Sequence, residues 1–163
     1  MKTASKMYEI FYVSSMAADA PLAMVGAVVA HARIANAARD ITGVLVFDGL
    51  RFCQQIEGKQ EDVLALMERI YQDTRHFNIE VFHHGPVAER RCNHVSMACA
   101  NIEDMDVLER LEQLSGQQGV DTFRALIATL NLQACGLHWA PRFRPDARST
   151  SPGHARPSRS AGF

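Results

Sequence analysis

An α+β fold of ferredoxin-like type is what this 163-residue sequence predicts: β-α-β-β-α-β plus a fifth strand, two helices on one sheet face, and a C-terminal helical pair on the other. Three observations carry that expectation. Short runs rich in β-branched and aromatic residues alternate with apolar stripes at helical spacing. Two of the runs flank Asp48-Gly49, a dipeptide suited to a tight hairpin turn. Two more amphipathic segments follow residue 100, enough to cover a sheet face that would otherwise be bare.

Residues 7–13 read as the first strand, with Tyr8, Ile10 and Tyr12 on one face and Glu9, Phe11 and Val13 on the other. Asp19 is positioned to cap a helix opening at Pro21, where a missing N–H does no harm. Along that helix Leu22, Val25, Val29, Ala32 and Asn36 fall at steps of three or four, so an asparagine closes an apolar stripe. The hairpin pairs 42–47 with 52–56. In its second strand Phe52, Gln54 and Ile56 share one face, and Cys53, Gln55 and Glu57 the other.

A second helix is expected from Gln60 to Thr74, with Glu61 and Asp62 complementing its dipole and Val63, Met67, Ile70 and Thr74 facing inward. Phe77–His83 and Cys92–Ala100 read as two further strands, with Val95, Met97 and Cys99 on one face of the last. The closing helices are expected at Met105–Leu114 and Asp121–Gln133, separated by the Gly/Gln-rich residues 115–119. The domain reading is therefore residues 1–100 as the main sheet-and-helix domain, 101–136 as a helical extension, and 137–163 as a disordered Arg/Pro/Ser-rich tail with little to bury except Trp139.

Composition suits one globular domain, at 47% hydrophobic and 21% charged residues. The four cysteines, Cys53, Cys92, Cys99 and Cys135, form no CxxC pair and read as reduced, which points to the cytoplasm. No apolar stretch is long enough to span a bilayer, and Glu9 interrupts the N-terminal apolar run, so neither a membrane span nor a signal peptide is expected. Five arginines against Asp146 leave residues 137–163 at +4 and residues 1–136 at −5, so the folded part offers no dedicated nucleic-acid surface. Arg90-Arg91 and the tail read as solvated charge. His83, His84, Cys92 and His94 have no diagnostic metal spacing, and no metal site is expected.

The informative residues are three polar groups expected to face inward: Tyr12, Asn36 and Gln54. A buried primary amide left without partners costs roughly 1–3 kcal/mol. Such groups either satisfy one another or meet a ligand, and three around one cleft between two helices favour a flat ligand with heteroatoms along its edge.

The segments Phe11-Tyr12-x-Ser14, Asn36-x4-Ile41-Thr42-Gly43, Phe52-x-Gln54-x-Ile56-Glu57-Gly58, Asp73-x-Arg75-His76-x-Asn78 and the Ser96-Met97 neighbourhood closely resemble the BLUF domain, a blue-light sensor that uses FAD. The resemblance runs over roughly residues 6–100 in matching order and spacing. It implies a non-covalently bound flavin whose ring lies between the two helices. Tyr12 resembles the phenol that gives an electron and a proton to the excited flavin. Gln54 resembles the amide whose hydrogen bonds light rearranges, with a small red shift. Asn36 resembles the amide on the ring's polar edge, Arg75 and His76 match positions near the flavin, and Met97 matches a methionine linked to output.

Three departures stand out. Val95 occupies a position where many members carry tryptophan, which removes a tryptophan-in/tryptophan-out mode of signalling; Ala35 replaces a polar neighbour of the asparagine; Gln55 replaces an apolar residue, on the face away from the flavin. The resemblance implies a non-enzymatic photoreceptor that signals through contacts, as a homo-oligomer or with a downstream protein. The competing readings are a flavin-free interaction module, which would be colourless, and a flavin-dependent oxidoreductase, against which the sequence lacks a GxGxxG fingerprint.

Overall fold

In the computed structural model, which describes residues 5–92 and 96–130, helices cover both faces of a five-stranded sheet. The elements are β1 (Met7–Met16), α1 (Met24–Ala37), β2 (Thr42–Phe47), β3 (Arg51–Lys59), α2 (Gln60–Gln72), β4 (His76–Pro86), β5 (Ala98–Asn101), α3 (Met105–Glu112) and α4 (Gly116–Thr129). The strand order is β4-β1-β3-β2-β5. All neighbours are antiparallel except β2 and β5, which run parallel and make the sheet mixed.

Strand parity divides the core into layers. On one face Phe11, Val13, Val44, Val46 and Cys53 pack with Phe82 and Ala98 under Leu108 and Leu111 of α3 and Val120 and Phe123 of α4. This is the cover that the sequence predicted for the second face. The other face carries α1 and α2, and its core is split in two. Val25 and Val29 of α1 pack on Leu45, Phe47, Phe52, Met97 and Cys99. Val63 and Met67 of α2 pack on Ile10, Tyr12, Ile41 and Ile56.

Several boundaries differ from expectation for identifiable reasons. The turn between β2 and β3 is Gly49-Leu50, one residue later than the sequence suggests. Asp48 N–H bonds Arg51 O at 3.2 Å and so extends the ladder, while its Oδ1 accepts from the N–H groups of Leu50 at 2.8 Å and Arg51 at 2.6 Å. Within the turn only Gly49 takes a positive φ, 100°, the signature of a type II′ turn. α1 starts at Met24 instead of Pro21, because the carbonyls of Pro21 and Leu22 accept from Met24 and Val25 N–H in a preceding turn; Ala23 is its N-cap and Asp19 plays no capping role.

α2 ends at Gln72, and the extended backbone of Asp73 turns Thr74 out to solvent, leaving Val63, Met67 and Ile70 as the inward stripe. β4 runs longer than expected, to Pro86. The last strand is described only from Ala98, with Met97 and Cys99 on the α1 side as expected; Val95 lies outside the described residues. α4 begins at Gly116, five residues early, and within it a side chain at Gly119 would collide with Phe82, whereas glycine lets the helix close onto β4.

Cys53 and Cys92 are free thiols, as expected. Cys99, expected to be reduced like the others, is instead disulfide-bonded, which corrects that expectation. Trp139, Cys135 and the arginine-rich tail lie outside the described residues. Among the described residues, no helix is long and apolar enough to cross a membrane.

Candidate functional site

Between the two halves of the split core lies a cavity of about 430 Å³, within the range of small-molecule and cofactor pockets. Its walls come from α1 (Val28, Val29, Ala32), α2 (Leu66, Ile70) and the sheet (Leu45, Phe52). All six residues singled out in the sequence, Tyr12, Asn36, Gln54, Arg75, His76 and Met97, line it. They converge from both helix-bearing halves because β1 and β3 are paired, with Tyr12 directly opposite Gln54.

The centre of the site is one hydrogen-bonded line. The Tyr12 hydroxyl donates to Gln54 Oε1, and Gln54 Nε2 points at Met97 Sδ, 3.6 Å away. A phenol is a strong donor and a thioether a weak acceptor, so one end of the amide is well satisfied and the other poorly. Burial pushes the Tyr12 phenol well above its ordinary range, with Cys53 and Asp73 adding to the effect. The hydroxyl therefore keeps its proton at any ordinary pH and acts as a donor in the resting arrangement.

Asn36 is buried at the end of the α1 stripe, where its Nδ2 donates to Ser96 O at 3.1 Å. One turn earlier, Arg33 Nη2 donates to Met97 O at 3.2 Å. These two helix residues hold the segment that presents Met97. Arg33 was not singled out in the sequence, although its place three residues before Asn36 puts it on the same helix side.

His76 is fixed at both ring nitrogens. Nε2 lies 2.8 Å from Ile70 O, and since a carbonyl can only accept, Nε2 carries the proton. In the neutral ring Nδ1 then accepts from the Ser14 hydroxyl, 2.8 Å away. The ring stands edge-on to Phe52 and tilted against Tyr12, with centroids 6.4 Å away in each case. Arg75 makes a bidentate pair with Asp73, Nε to Oδ1 at 2.8 Å and Nη2 to Oδ2 at 2.5 Å; these bonds hold the Asp73 carboxyl below its usual range. His31, Arg69 and Arg75 are exposed lining residues, joined at the opening by the Asp73 carboxylate.

Gln55 points the other way, as strand parity requires. Its Nε2 donates to Glu57 Oε1 at 2.7 Å, and Glu57 also accepts from the backbone N–H of Arg91 and Cys92. Glu9 is buried beside it, 3.4 Å from His83 Nε2 and 3.2 Å from Arg91 Nε. His84 bonds Tyr8, so the two adjacent histidines serve different partners. Sequence reasoning missed this polar cluster.

The donor set fits a flat ring with heteroatoms on its edge: apolar walls, two amides from opposite sides and a weakly engaged Gln54 N–H. Comparison with known proteins agrees. In the curated antirepressor BluF of Escherichia coli (strain K12), described as blue light- and temperature-regulated, a stretch is 37% identical over 70 residues, 43% of this chain but 17% of that protein's length. The solved dark-state structure of BlrB, a BLUF protein, superposes with a TM-score of 0.66 at 29% identity, covering 78% of this chain and all of that one. BlrP1 of Klebsiella pneumoniae, solved with FMN and cyclic diGMP, gives 0.60 at 30% identity over 75% of this chain and 34% of that one. With residues 7–98 matching the family model described as sensors of blue light using FAD, the chain belongs to the BLUF family.

Proposed function

We propose that this FAD-dependent blue-light sensor works by reversing the Gln54 amide between Tyr12 and Met97, and that the change passes to the C-terminal helices to alter protein contacts. The observation that supports this is the asymmetric line Tyr12 O–H, Gln54, Met97 Sδ. In the resting arrangement the phenol donates to Oε1. Rotating the amide presents Nε2 to the phenol oxygen, which then accepts, and turns Oε1 toward a sulfur that cannot donate. The second arrangement keeps one good bond and loses the weak one, so it is the less stable and relaxes.

Asn36 and Gln54 would hold the polar edge of the flavin ring, and Tyr12 and Met97 its inner side. His76, both nitrogens engaged, would contribute a ring wall, and Arg75 the nitrogen not held by Asp73. The flavin supplies absorption of blue light and an excited state able to take an electron from a phenol. Tyr12 would contribute a hydroxyl able to supply an electron and its proton, and Gln54 Oε1, which accepts that hydroxyl's hydrogen bond, would be the first group on the proton's path, with both returned to Tyr12 in the dark.

We propose residues 1–100 as the sensing domain and 101–136 as its helical extension. Action is through contacts and not catalysis, with a second copy of the chain or a downstream protein as partner, in the cytoplasm. The deciding experiment is the absorption spectrum of the purified protein before and after blue light. A flavin spectrum that shifts slightly red and recovers in darkness is expected, with Gln54→Leu and Tyr12→Phe retaining FAD but losing that photocycle. Absence of flavin, or bleaching to reduced flavin, would overturn the reading.

A further inference from the structure

One carboxylate joins α3 to the two strands that flank β1. Glu112, the last residue of α3, accepts from Arg51 Nε at 3.2 Å through Oε2 and from Asn78 Nδ2 at 2.9 Å through Oε1. Arg51 and Glu112 are only 21% and 24% exposed, so their pairing is less screened than a surface ion pair.

Both anchors are close in sequence to residues that line the cavity. Arg51 opens β3 immediately before Phe52, and Asn78 lies two residues beyond His76; Phe52 and His76 line the site. The β1–β4 register passes from Ser15↔Phe77 to Val13↔Glu80, so residues 78 and 79 stand opposite Ser14 alone. That is a bulge, and Asn78 carries its left-handed backbone, φ 53°. Ser14 is also the residue whose hydroxyl bonds His76. The histidine wall, the bulge and the Glu112 clasp thus share one corner of the sheet.

We propose that Glu112 is a positioning residue for output: it ties α3 and α4 to one relative setting of β3 and β4 and releases them when the site shifts. The proposal rests on the light-switch reading above and adds the residue through which its signal leaves. A carboxylate spanning two strands with β1 between them keeps both bonds only while Arg51 and Asn78 hold their separation. Movement of Phe52 or His76 changes that separation, because each is within two residues of an anchor. The route runs through β3 and β4 and does not require Val95.

The test is hydrogen–deuterium exchange of residues 105–129 in the full FAD-bound chain, in darkness and under continuous blue light, with the flavin red shift recorded on the same samples. Wild type should exchange faster in light. Glu112→Ala should keep the red shift while its light-to-dark exchange ratio falls to one. Asn78→Gly, which preserves the positive φ and removes only the side chain, should do the same, and Glu112→Gln, whose single amide oxygen can replace only one of the two accepting carboxylate oxygens, should restore part of the ratio. Wild-type ratios in both Glu112→Ala and Asn78→Gly, or a wild-type ratio of one despite a normal red shift, would overturn the proposal alone. Absence of the red shift in wild type would instead overturn the light-switch reading beneath it.

Discussion

Gln54 and Gln55 are consecutive on β3, yet their amides serve separate buried networks on opposite faces of the sheet: Gln54 meets Tyr12 and Met97 on the cavity side, Gln55 meets Glu57 behind it. Period-two geometry enforces the separation. Substituting each by leucine should separate photochemistry from stability. Gln54→Leu is expected to abolish the red-shifting response. Gln55→Leu should leave it in place and lower unfolding stability by about 1.5–3 kcal/mol, the cost of removing a hydrogen bond to a buried carboxylate. Light-difference spectra and urea denaturation of both variants check this, and loss of the red shift in Gln55→Leu would contradict the assigned parity.

Met97 makes a second prediction, about rate. Its sulfur can accept from Gln54 Nε2 but cannot donate to Oε1, so it favours the resting orientation by the value of a weak bond. Met97→Leu removes that bias while keeping the volume close. Dark recovery should slow by up to about tenfold, taking ~0.5–1.5 kcal/mol for the lost bond. Unchanged or faster recovery after a flash would count against the sulfur as the stabilising contact.

Gly119 supplies a third. A Cβ built there would lie 2.6 Å from Phe82 Cδ2. Alanine is the better helix former by about 1 kcal/mol, but forcing a packed ring aside costs about 1–3 kcal/mol, so the net effect should be destabilising. Thermal melts should show a lower midpoint for Gly119→Ala and recovery on adding Phe82→Leu, with the flavin red shift unaltered. A higher midpoint for the single variant would show that Phe82 moves at little cost.

How far the sequence carried these conclusions depended on the kind of signal. Tyr12, Gln54 and Asn36 were legible because each is a polar residue on an otherwise apolar face, and periods of two and 3.6 place a face without tertiary information. The α1 and α4 starts were not legible. One depends on backbone carbonyls that cap without a signature residue, the other falls in a stretch whose Gly119 reads as a linker until Phe82 is beside it. The type II′ turn shifted by one residue because Asp48 is as good a strand end as a turn former. The short β5 was overextended because its parallel pairing with β2 is a long-range contact.

Glu9 and Glu57 are the plainest case of chemistry hidden from pattern reading, since alternation assigns an acid to solvent, and they carry the last prediction. They sit opposite each other across the β1–β3 ladder, both essentially buried. Burial raises the Glu9 carboxyl above its ordinary 4.5, Glu57 adds to the rise, and Arg91 and His83 oppose it. The folded state therefore binds a proton at Glu9 that the unfolded chain has already lost, in the window just above pH 4.5. There the folded form holds more protons, the slope of stability against pH is negative, and this residue's contribution declines as pH increases through its folded value. Asp73 acts oppositely and lower: its lowered carboxyl contributes stability that is lost as pH falls below its ordinary 3.8. Denaturation of wild type and Glu9→Gln at a series of pH values should show the glutamine variant gaining on wild type as pH rises from about 4.5, because its neutral amide has no proton to lose. A constant difference across that range would mean that Arg91 and His83 neutralise the burial effect in full.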